Sequence, residues 1–183
     1  MPSTRERALS SAVELVGSRG VRALTHARVD AAADLPPGST SNHFRTRAAL
    51  ITGVIAWIAE TERADFGAAG TVPHTPDELV TMLAGMVEAQ TTTHATRTRA
   101  RYALFLESHG DDSVQAPLRA QRDGFEQWMR TITTALGMPH PAADARAIMA
   151  CAEGIILHRL TVDPDAPVTP AIARVVRGCA PAS

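Results

Sequence analysis

The sequence predicts an all-α protein of about nine helices, with an N-terminal three-helix domain followed by a larger helical domain. Three observations predict this class. Apolar residues recur at the 3.6-residue spacing of amphipathic helices along most of the chain. Alanine, the strongest helix former, is abundant, whereas aromatic residues make up only 4% of the sequence. No segment combines apolar–polar alternation with the β-branched enrichment that is typical of strands.

The first helix is predicted from Arg5 to Arg19. Ser3 and Glu6 have the spacing of a capping box, and Gly20 stands where a glycine commonly ends a helix. The apolar positions of this segment follow the i, i+3, i+4, i+7 spacing of one helix face, and they are Leu9, Ala12, Val13 and Val16.

Two short helices and the start of a longer one are predicted next. Thr25 is predicted to cap a second helix that ends near Asp34. The two prolines of segment 35–38 cannot donate a backbone N–H, so the second helix cannot continue through them. A short third helix is predicted from Pro37 to Phe44, and Thr46 is predicted to cap a long fourth helix that reaches about residue 66.

The rest of the chain reads as a loop followed by five more helices. The stretch Gly67–Pro76 is rich in glycine, proline and threonine and is predicted to be a loop. The helices predicted after it are Asp77–His94, Thr96–His109, Ser113–Leu136, Ala142–Leu160 and Thr169–Cys179.

Composition excludes several classes of protein. The 183 residues are 45% hydrophobic and carry a net charge of −1, which fits a globular domain with a core. Residues 1–50 hold seven arginines and four acids (+3), and the remainder holds eleven arginines and fifteen acids (−4). Cys151 and Cys179 form no metal or disulfide pattern and are predicted to be buried thiols. No segment resembles a signal peptide or a membrane span, so we expect a cytoplasmic protein without a cofactor, a metal or a membrane partner.

The second and third predicted helices, joined by a tight turn, have the layout of a helix-turn-helix. In this motif the second helix enters the DNA major groove while the first contacts the backbone. The predicted entering helix carries short polar residues, Ser39 to His43, and the side chain of Asn42 has the groups that pair with adenine. Taken alone, the same five residues are more typical of a solvated loop.

Residues 5–51 resemble the N-terminal domain of the tetracycline-repressor (TetR) family without a gap. The stretch ALSSAVELVGSRG is similar to the family pattern I-L-x-A-A-L-x-L-F-x-x-x-G. The stretch ALTHARVDAAADLPPGSTSNHFRTRAALI resembles T-T-V-x-x-I-A-x-x-A-G-V-S-x-G-x-L-Y-x-H-F-x-x-K-x-x-L. Its segment PPGSTSNHFRTR is similar to a variant found in actinobacterial members. The resemblance implies a DNA-binding domain over residues 1–48 and a helical effector-binding and dimerisation domain over residues 49–183.

Three of the departures from the family pattern lie in the turn and on the exposed side of the recognition helix. Asp34 replaces the usual glycine of the turn and tolerates a left-handed backbone less well. Pro36 replaces the usual capping serine, so the recognition helix is expected to lack a side-chain cap. Ser41 replaces a tyrosine that often touches DNA, and we therefore expect base readout to rest more heavily on Thr40 and Asn42.

The resemblance implies roles for individual residues of the N-terminal domain. Thr25, Arg28 and Arg47 are expected to contact phosphates, and His43 the DNA backbone. His26 is either a phosphate contact or a plain surface residue, while Phe44 is expected in the core. Arg5 and Arg7 either reach a flanking phosphate or belong to a disordered arm. The complete predicted DNA-binding set is Thr25, His26, Arg28, Ser39, Thr40, Ser41, Asn42, His43 and Arg47.

The resemblance also implies a homodimer, a near-palindromic double-stranded DNA operator and a small-molecule effector that releases a repressor from DNA. The side chains predicted to contact a largely apolar effector are Met86, Gln90, Tyr102, Phe105, Phe125, Trp128 and Met129. The apolar residues predicted at the dimer interface are Ile148, Ala152, Ile155, Ile156, Ile172 and Val176. Burial inside a single subunit is the alternative for the interface set, and it is the more common role of methionine and aromatic residues at helical spacing such as those of the effector set.

Two other classes of function are alternatives to a small-molecule-controlled regulator. An enzyme is disfavoured because the seven histidines are scattered and no phosphate-binding loop or nucleophile motif is present. A DNA-binding or architectural protein without a small-molecule effector, or one controlled by a protein partner, remains an alternative. It predicts a solid helical domain, whereas the sensor predicts an enclosed and largely apolar cavity.

Overall fold

The computed structural model describes residues 2–68, 72–107 and 112–180, and these ranges contain nine α-helices, one short 3₁₀-helix and no strand. The predicted all-α class is therefore confirmed. The helices are α1 (Thr4–Arg19), α2 (His26–Ala32), α3 (Ser39–His43), α4 (Arg47–Ala68), α5 (Pro76–Thr91), α6 (Ala95–Glu107), α7 (Asp112–Ala135), α8 (Pro141–Thr161) and α9 (Thr169–Cys179), and the 3₁₀-helix spans Val21–Ala23.

Helix α1 begins and ends as its sequence predicts. The Ser3 hydroxyl accepts a hydrogen bond from the Glu6 N–H (3.2 Å), and the Glu6 carboxylate accepts one from the Ser3 N–H (2.7 Å). Gly20 ends the helix with a φ of 76°, a conformation that glycine adopts without strain. The inward face of α1 is apolar and buried, and it consists of Ala8, Leu9, Ala12, Val13, Leu15 and Val16.

Helices α2 and α3 are both shorter than predicted. The Thr25 hydroxyl caps α2 by accepting from the Arg28 N–H at 3.4 Å, but α2 ends at Ala32, two residues before the predicted end. Helix α3 begins only at Ser39, because Gly38 has a left-handed φ of 89° that interrupts helical geometry. The turn therefore takes up more of the chain than the proline positions indicate.

The chain divides into two compact units. Within its described residues, the first unit comprises 2–68, 96–107 and 112–121. Its core is formed by α1, α2 and α4 together with Ala100 and Leu104 of α6. A Cβ atom on Gly17 would lie 2.1 Å from the Thr96 carbonyl oxygen, so only glycine permits this approach of α1 to the start of α6.

The second unit comprises residues 72–95 and 122–180 of the described chain, and α5, α8 and α9 pack against one another in it. Arg159 of α8 donates from Nε to the Thr91 hydroxyl of α5 at 2.9 Å. The Thr133 hydroxyl donates to the Pro141 carbonyl oxygen, also at 2.9 Å, which joins the end of α7 to the start of α8. The largest fully buried side chains of the second unit are Leu79, Met129, Ile132, Ile148 and Ile172.

The remaining predicted boundaries differ by small amounts. Helix α9 has the predicted limits, whereas α5 ends at Thr91, three residues before the predicted end at His94. Of the helix predicted to end at His109, the last two residues lie outside the described part of the chain. The two cysteines are half-buried rather than buried. None of the helices in the described ranges is long and apolar enough to cross a membrane.

Candidate nucleic-acid interface and effector region

Helix α3 follows α2 through a tight turn, in the arrangement of a helix-turn-helix. Asp34, the one non-glycine residue of the described chain with positive φ (51°), follows the end of α2, and Gly38 precedes α3. The Ser39 N–H closes the turn by donating to the Pro36 carbonyl oxygen at 3.1 Å. In this motif α3 is the helix that enters the major groove.

Asn42 and His43 are the exposed side chains at the end of α3. Ser39 and Ser41 are half-buried, and their hydroxyls donate to backbone carbonyl oxygens of the turn at 2.7 and 2.8 Å. A hydroxyl that donates inward keeps its acceptor capacity but has no second proton to offer. Of the residues on α3, Asn42 and His43 are therefore the best placed to donate hydrogen bonds to a base edge.

Thr40 lies in the interior of the first unit. Its side chain has no accessible surface, and its hydroxyl donates to Asp30 at 2.5 Å. Both observations contradict the prediction that Thr40 contacts bases. The physical reason is that Thr40 lies on the face of α3 that packs against α2, opposite the solvent.

Asp30 of α2 is a functional candidate that the sequence analysis missed. It is only 4% exposed, and its carboxylate accepts hydrogen bonds from Thr40 and from the Gly38 N–H. Burial raises the pKa of Asp30, but these hydrogen bonds outweigh burial and hold the pKa below its ordinary value. The sequence does carry a sign of this contact. The family pattern has Ala where Asp30 stands and Leu where Thr40 stands, so two inward apolar positions are both polar in this chain.

Three of the residues predicted to contact phosphates are exposed beside the helix-turn-helix. Thr25 lies at the N-terminus of α2 and Arg28 lies in its first turn. Arg47 begins α4, and its Nη2 donates to the Val21 carbonyl oxygen at 3.0 Å while the side chain stays exposed. A guanidinium has five N–H donors, so this contact leaves donors for a phosphate.

Three further cationic or ring side chains make contacts inside the first unit. The Nε2 of His26 lies 2.6 Å from the carbonyl oxygen of Phe44. This contact favours an internal structural role for His26 over a phosphate contact or a plain surface position. Arg7 donates from Nη2 to the carbonyl oxygens of residues 33–34 at 2.6 and 2.9 Å. The Arg5 guanidinium lies 5.6 Å from the Phe44 ring centroid, a cation–π distance. Arg5 and Arg7 thus belong to α1 and not to a disordered arm.

The side chains predicted to contact an effector are divided between the units. Tyr102 and Phe105 belong to the first unit, and Phe105 is 41% exposed. The members in the second unit are Met86, Gln90, Phe125, Trp128 and Met129. The rings of Phe125 and Trp128 are in contact at a tilt of 36°, with centroids 5.1 Å apart. Met129 has no accessible surface, so in this structure it is a core residue and not the lining of a cavity.

Two ion pairs between α4 and α6 are also absent from the sequence analysis. Glu62 is 2% exposed and accepts a hydrogen bond from Arg101 Nη1 at 3.1 Å. One turn further along α4, Asp65 is paired with Arg97. Glu62 continues the inward stripe of α4 four residues after Ile58, so an acid on an apolar stripe was the available signal.

The residues predicted at a dimer interface are mostly buried within the single chain. Four of the six have at most 3% of their surface exposed: Ile148, Ile156, Ile172 and Val176. This contradicts their prediction as interface residues, because they fill the space between α5, α8 and α9. Ala152 and Ile155 are half-buried. The exposed face of α8 instead carries small and apolar residues at alternating spacings of four and three, namely Ala143, Ala147, Ala150, Gly154 and Leu157.

Comparison with known proteins identifies the relatives of this chain. The sequence profile of the tetracyclin repressor-like C-terminal domain matches residues 74–182, which is more than half of the 183 residues. The comparison with curated proteins gives no match. A TetR-family protein from Streptomyces coelicolor A3 is 25% identical with a TM-score of 0.77, and the alignment covers 99% of this chain and 100% of that one.

Two other solved structures have the same fold. The multidrug binding protein EbrR, complexed with ethidium, is 25% identical with a TM-score of 0.75, covering 98% of this chain and 100% of EbrR. A TetR-family transcriptional regulator from Agrobacterium tumefaciens is 19% identical with a TM-score of 0.79, covering 97% and 98% of the two chains. The helix-turn-helix and the profile match together define a DNA-binding transcriptional regulator with a ligand-binding domain. The chain belongs to the TetR family.

Proposed function

We propose that this protein is a transcriptional repressor that binds a near-palindromic operator as a homodimer and leaves it when a small-molecule effector binds. Residues 1–48 form the proposed DNA-binding domain, and residues 49–183 the proposed effector-binding and dimerisation domain. The observation that carries the proposal is the exposure of Asn42 and His43 at the end of α3, on a helix held by a helix-turn-helix in a TetR-family chain.

The proposed DNA contacts follow from the chemistry of the exposed groups. The Asn42 amide has the donor and acceptor needed for adenine, and His43 contacts the neighbouring base edge or backbone. Thr25 and Arg28 of α2 and Arg47 of α4 are exposed and are proposed to bind phosphates, which fix the register of α3 in the groove. Ser39 and Ser41 are proposed to accept hydrogen bonds, and Thr40 is left out.

Selection from a library of random DNA duplexes tests the proposed DNA binding. The purified protein is expected to enrich duplexes with two related half-sites about 34 Å apart, or one helical turn, because a symmetric dimer presents one α3 to each. Asn42→Ala is expected to enrich a different half-site. Recovery of duplexes without any shared sequence would contradict specific DNA binding.

The proposed dimer uses the exposed face of α8. Alternating spacings of four and three place small and apolar residues on one stripe, as in antiparallel and parallel helix pairs. Gly154 lies on this stripe, and a Cβ atom there would meet no atom of the same chain within 4 Å. A larger side chain at residue 154 is therefore compatible with the folded subunit but incompatible with a partner helix packed against it.

Gly154→Leu measures this dimer contact directly, with Gly85→Leu as its matched control. Gly85 is also an exposed helical glycine without a neighbouring atom within 4 Å of its Cβ position, but it lies on α5. Sedimentation equilibrium is expected to give a dimer dissociation constant at least about tenfold larger for Gly154→Leu than for wild type or Gly85→Leu, because overpacking costs roughly 1–3 kcal/mol. An unchanged dimer in Gly154→Leu would exclude this face.

The proposed effector is a small, largely apolar molecule. The tilted ring pair Phe125–Trp128 and the half-buried Met86, all in the second unit, offer apolar and aromatic surface. Because EbrR is similar to this chain and has been solved with ethidium, ethidium is the first probe. Ethidium itself binds DNA, so its binding is measured on the protein alone.

Tryptophan fluorescence distinguishes an effector-controlled regulator from one without a small-molecule effector. The chain has two tryptophans, so Trp57→Phe leaves Trp128 as the single reporter. Saturable quenching of Trp128 by ethidium, weakened by Phe125→Ala, is the expected result. If neither ethidium nor a library of apolar compounds quenches Trp128, the alternative without a small-molecule effector, or with a protein partner, is favoured.

A further inference from the structure

The start of α3 is held by one buried carboxylate. Oδ1 of Asp30 accepts hydrogen bonds from the Thr40 N–H at 2.7 Å and from the Thr40 hydroxyl at 2.5 Å. Oδ2 accepts from the Gly38 N–H at 2.8 Å. Both oxygens of a nearly inaccessible side chain are thus engaged by residues of the turn and of α3.

Helix α3 has few other means of holding its position. It has only five residues, and its N-cap, Gly38, has no side chain to satisfy the first N–H groups. A helix of this length is not stable by itself in water. The single side chain that α3 buries fully is Thr40, which is itself bonded to Asp30. The carboxylate of Asp30 therefore provides from α2 the cap that Pro36 cannot provide.

Hydrogen bonds to a carboxylate constrain direction more strongly than apolar packing does. The TetR pattern has an apolar pair, Ala and Leu, at positions 30 and 40, whereas this chain has Asp30 and Thr40. A buried carboxylate is costly unless its hydrogen bonds are made, so small displacements of α3 that an apolar pair would tolerate are penalised here. The carboxylate also lies at the N-terminal end of α3, where a negative charge is favourable.

We propose that Asp30 is a positioning residue for DNA binding: its carboxylate fixes the start of α3 and with it the direction in which Asn42 and His43 leave the helix. The proposal rests on the proposed function, since it takes α3 to be the helix that enters the major groove. Asp30 itself contacts no DNA, because it is buried and faces the turn.

Asp30→Asn tests the proposal with a change of very few atoms. An asparagine oxygen can replace Oδ1 and accept both bonds from Thr40, but its NH₂ group would face the Gly38 N–H, donor against donor. Asp34→Asn is the matched control, because Asp34 is exposed, lies in the same turn and has a left-handed φ that asparagine tolerates. Both variants remove one negative charge, so any non-specific increase in affinity for DNA is the same in the two and cancels when they are compared.

The first readout needs no DNA. Hydrogen–deuterium exchange of the backbone amides of residues 38–44 is expected to be faster in Asp30→Asn than in wild type and unchanged in Asp34→Asn, with α9 as the internal reference. Equal protection of residues 38–44 in both variants would overturn the proposal, whatever the DNA assay shows.

The second readout is affinity for the duplex that the wild-type protein selects from the random library. Asp30→Asn is expected to bind it about 10- to 100-fold more weakly, because an unsatisfied hydrogen bond to a charged group commonly has an effect of this size. Asp34→Asn is expected to bind as wild type or slightly more tightly. Wild-type affinity in Asp30→Asn would overturn the proposal, whereas failure of the wild-type protein to select any duplex would overturn the proposed function.

Variants of Thr40 separate positioning from a general loss of folding. Thr40→Ser keeps the hydroxyl and is expected to retain DNA affinity within about threefold, whereas Thr40→Val keeps the size and is expected to lose about tenfold or more. Both are compared at a temperature at which circular dichroism shows them fully folded. Equal affinities for Thr40→Ser and Thr40→Val would show that only the volume at residue 40 matters and would overturn the proposal.

Discussion

Helices α3 and α9 are both short, but different forces hold them. Helix α9 has 11 residues, and its buried side chains Ile172 and Val176 are apolar. Helix α3 has five residues, and its buried side chain is Thr40, bonded to the carboxylate of Asp30. Apolar packing stabilises α9 without strict direction, whereas hydrogen bonds fix α3 at specific atoms. The difference suits a helix whose outer side chains must meet bases in one orientation.

The largest loss of stability is expected from a substitution at the C-cap of α3, where apolar packing holds the chain. Phe44 is 6% exposed and belongs to the core of the first unit. Phe44→Ala is expected to lower the free energy of unfolding by about 3–5 kcal/mol, because it removes a buried ring and leaves a cavity. Urea unfolding measures it, with the exposed Phe105→Ala as control. Similar losses in the two variants would mean that Phe44 is not the apolar anchor of this region.

A matched pair of small substitutions sharpens the comparison. Thr40→Val replaces one hydroxyl by a methyl and is expected to cost about 1–3 kcal/mol, because the Asp30 carboxylate loses a buried donor. Ile172→Val in α9 removes one methylene and is expected to cost about 0.5–1.5 kcal/mol. Both free energies of unfolding come from urea titrations. If Ile172→Val lowered the free energy of unfolding more than Thr40→Val, the claim that hydrogen bonds hold α3 while apolar packing holds α9 would be wrong.

The smallest effect is expected in acid. The folded state holds the pKa of Asp30 below its ordinary value, because the hydrogen bonds from Thr40 and Gly38 outweigh burial, with a smaller contribution from the charge of His26. The unfolded state therefore binds a proton first as the pH falls. The stabilisation is fully present above about pH 5, one unit above the unfolded pKa of an aspartate, and is lost as the pH falls through the folded pKa.

Urea unfolding of wild type and Asp30→Asn between pH 6 and pH 2 isolates this contribution. The difference in unfolding free energy between the two proteins is expected to be constant above about pH 5 and to shrink below about pH 4. A difference that grew in acid would show that the pKa of Asp30 is raised in the folded state, contrary to the hydrogen bonds described for its carboxylate.

The sequence predicts the features that depend on apolar periodicity and on local caps. Ser3 with Glu6 and then Gly20 locate both ends of α1, and the apolar spacing of α9 predicts its limits. The start of α3 was predicted too early, because two prolines mark a turn without showing that Gly38 adopts a left-handed backbone. Asp30 was missed because its donors come from residues eight and ten positions away, beyond the reach of local patterns.

The predicted interface and effector residues show a different limit. An apolar stripe on a helix predicts which face is covered but not what covers it. Ile148 and Ile172 were predicted to meet a second subunit, yet they are buried by helices of their own chain. Met129 is likewise buried in the core. Exposure on the folded chain, which no sequence pattern reports, is what points to the other face of α8.

The most direct test of the account is a salt titration of operator binding by fluorescence anisotropy, with wild type, Arg47→Ala and Asn42→Ala on the selected duplex and on a scrambled one. If α3 reads bases while Arg47 binds a phosphate, Arg47→Ala lowers the slope of log affinity against log salt by about one and keeps the preference for the selected duplex. Asn42→Ala then keeps the slope and loses preference. Equal preference in wild type and Asn42→Ala, with an unchanged slope in Arg47→Ala, would contradict DNA recognition through α3.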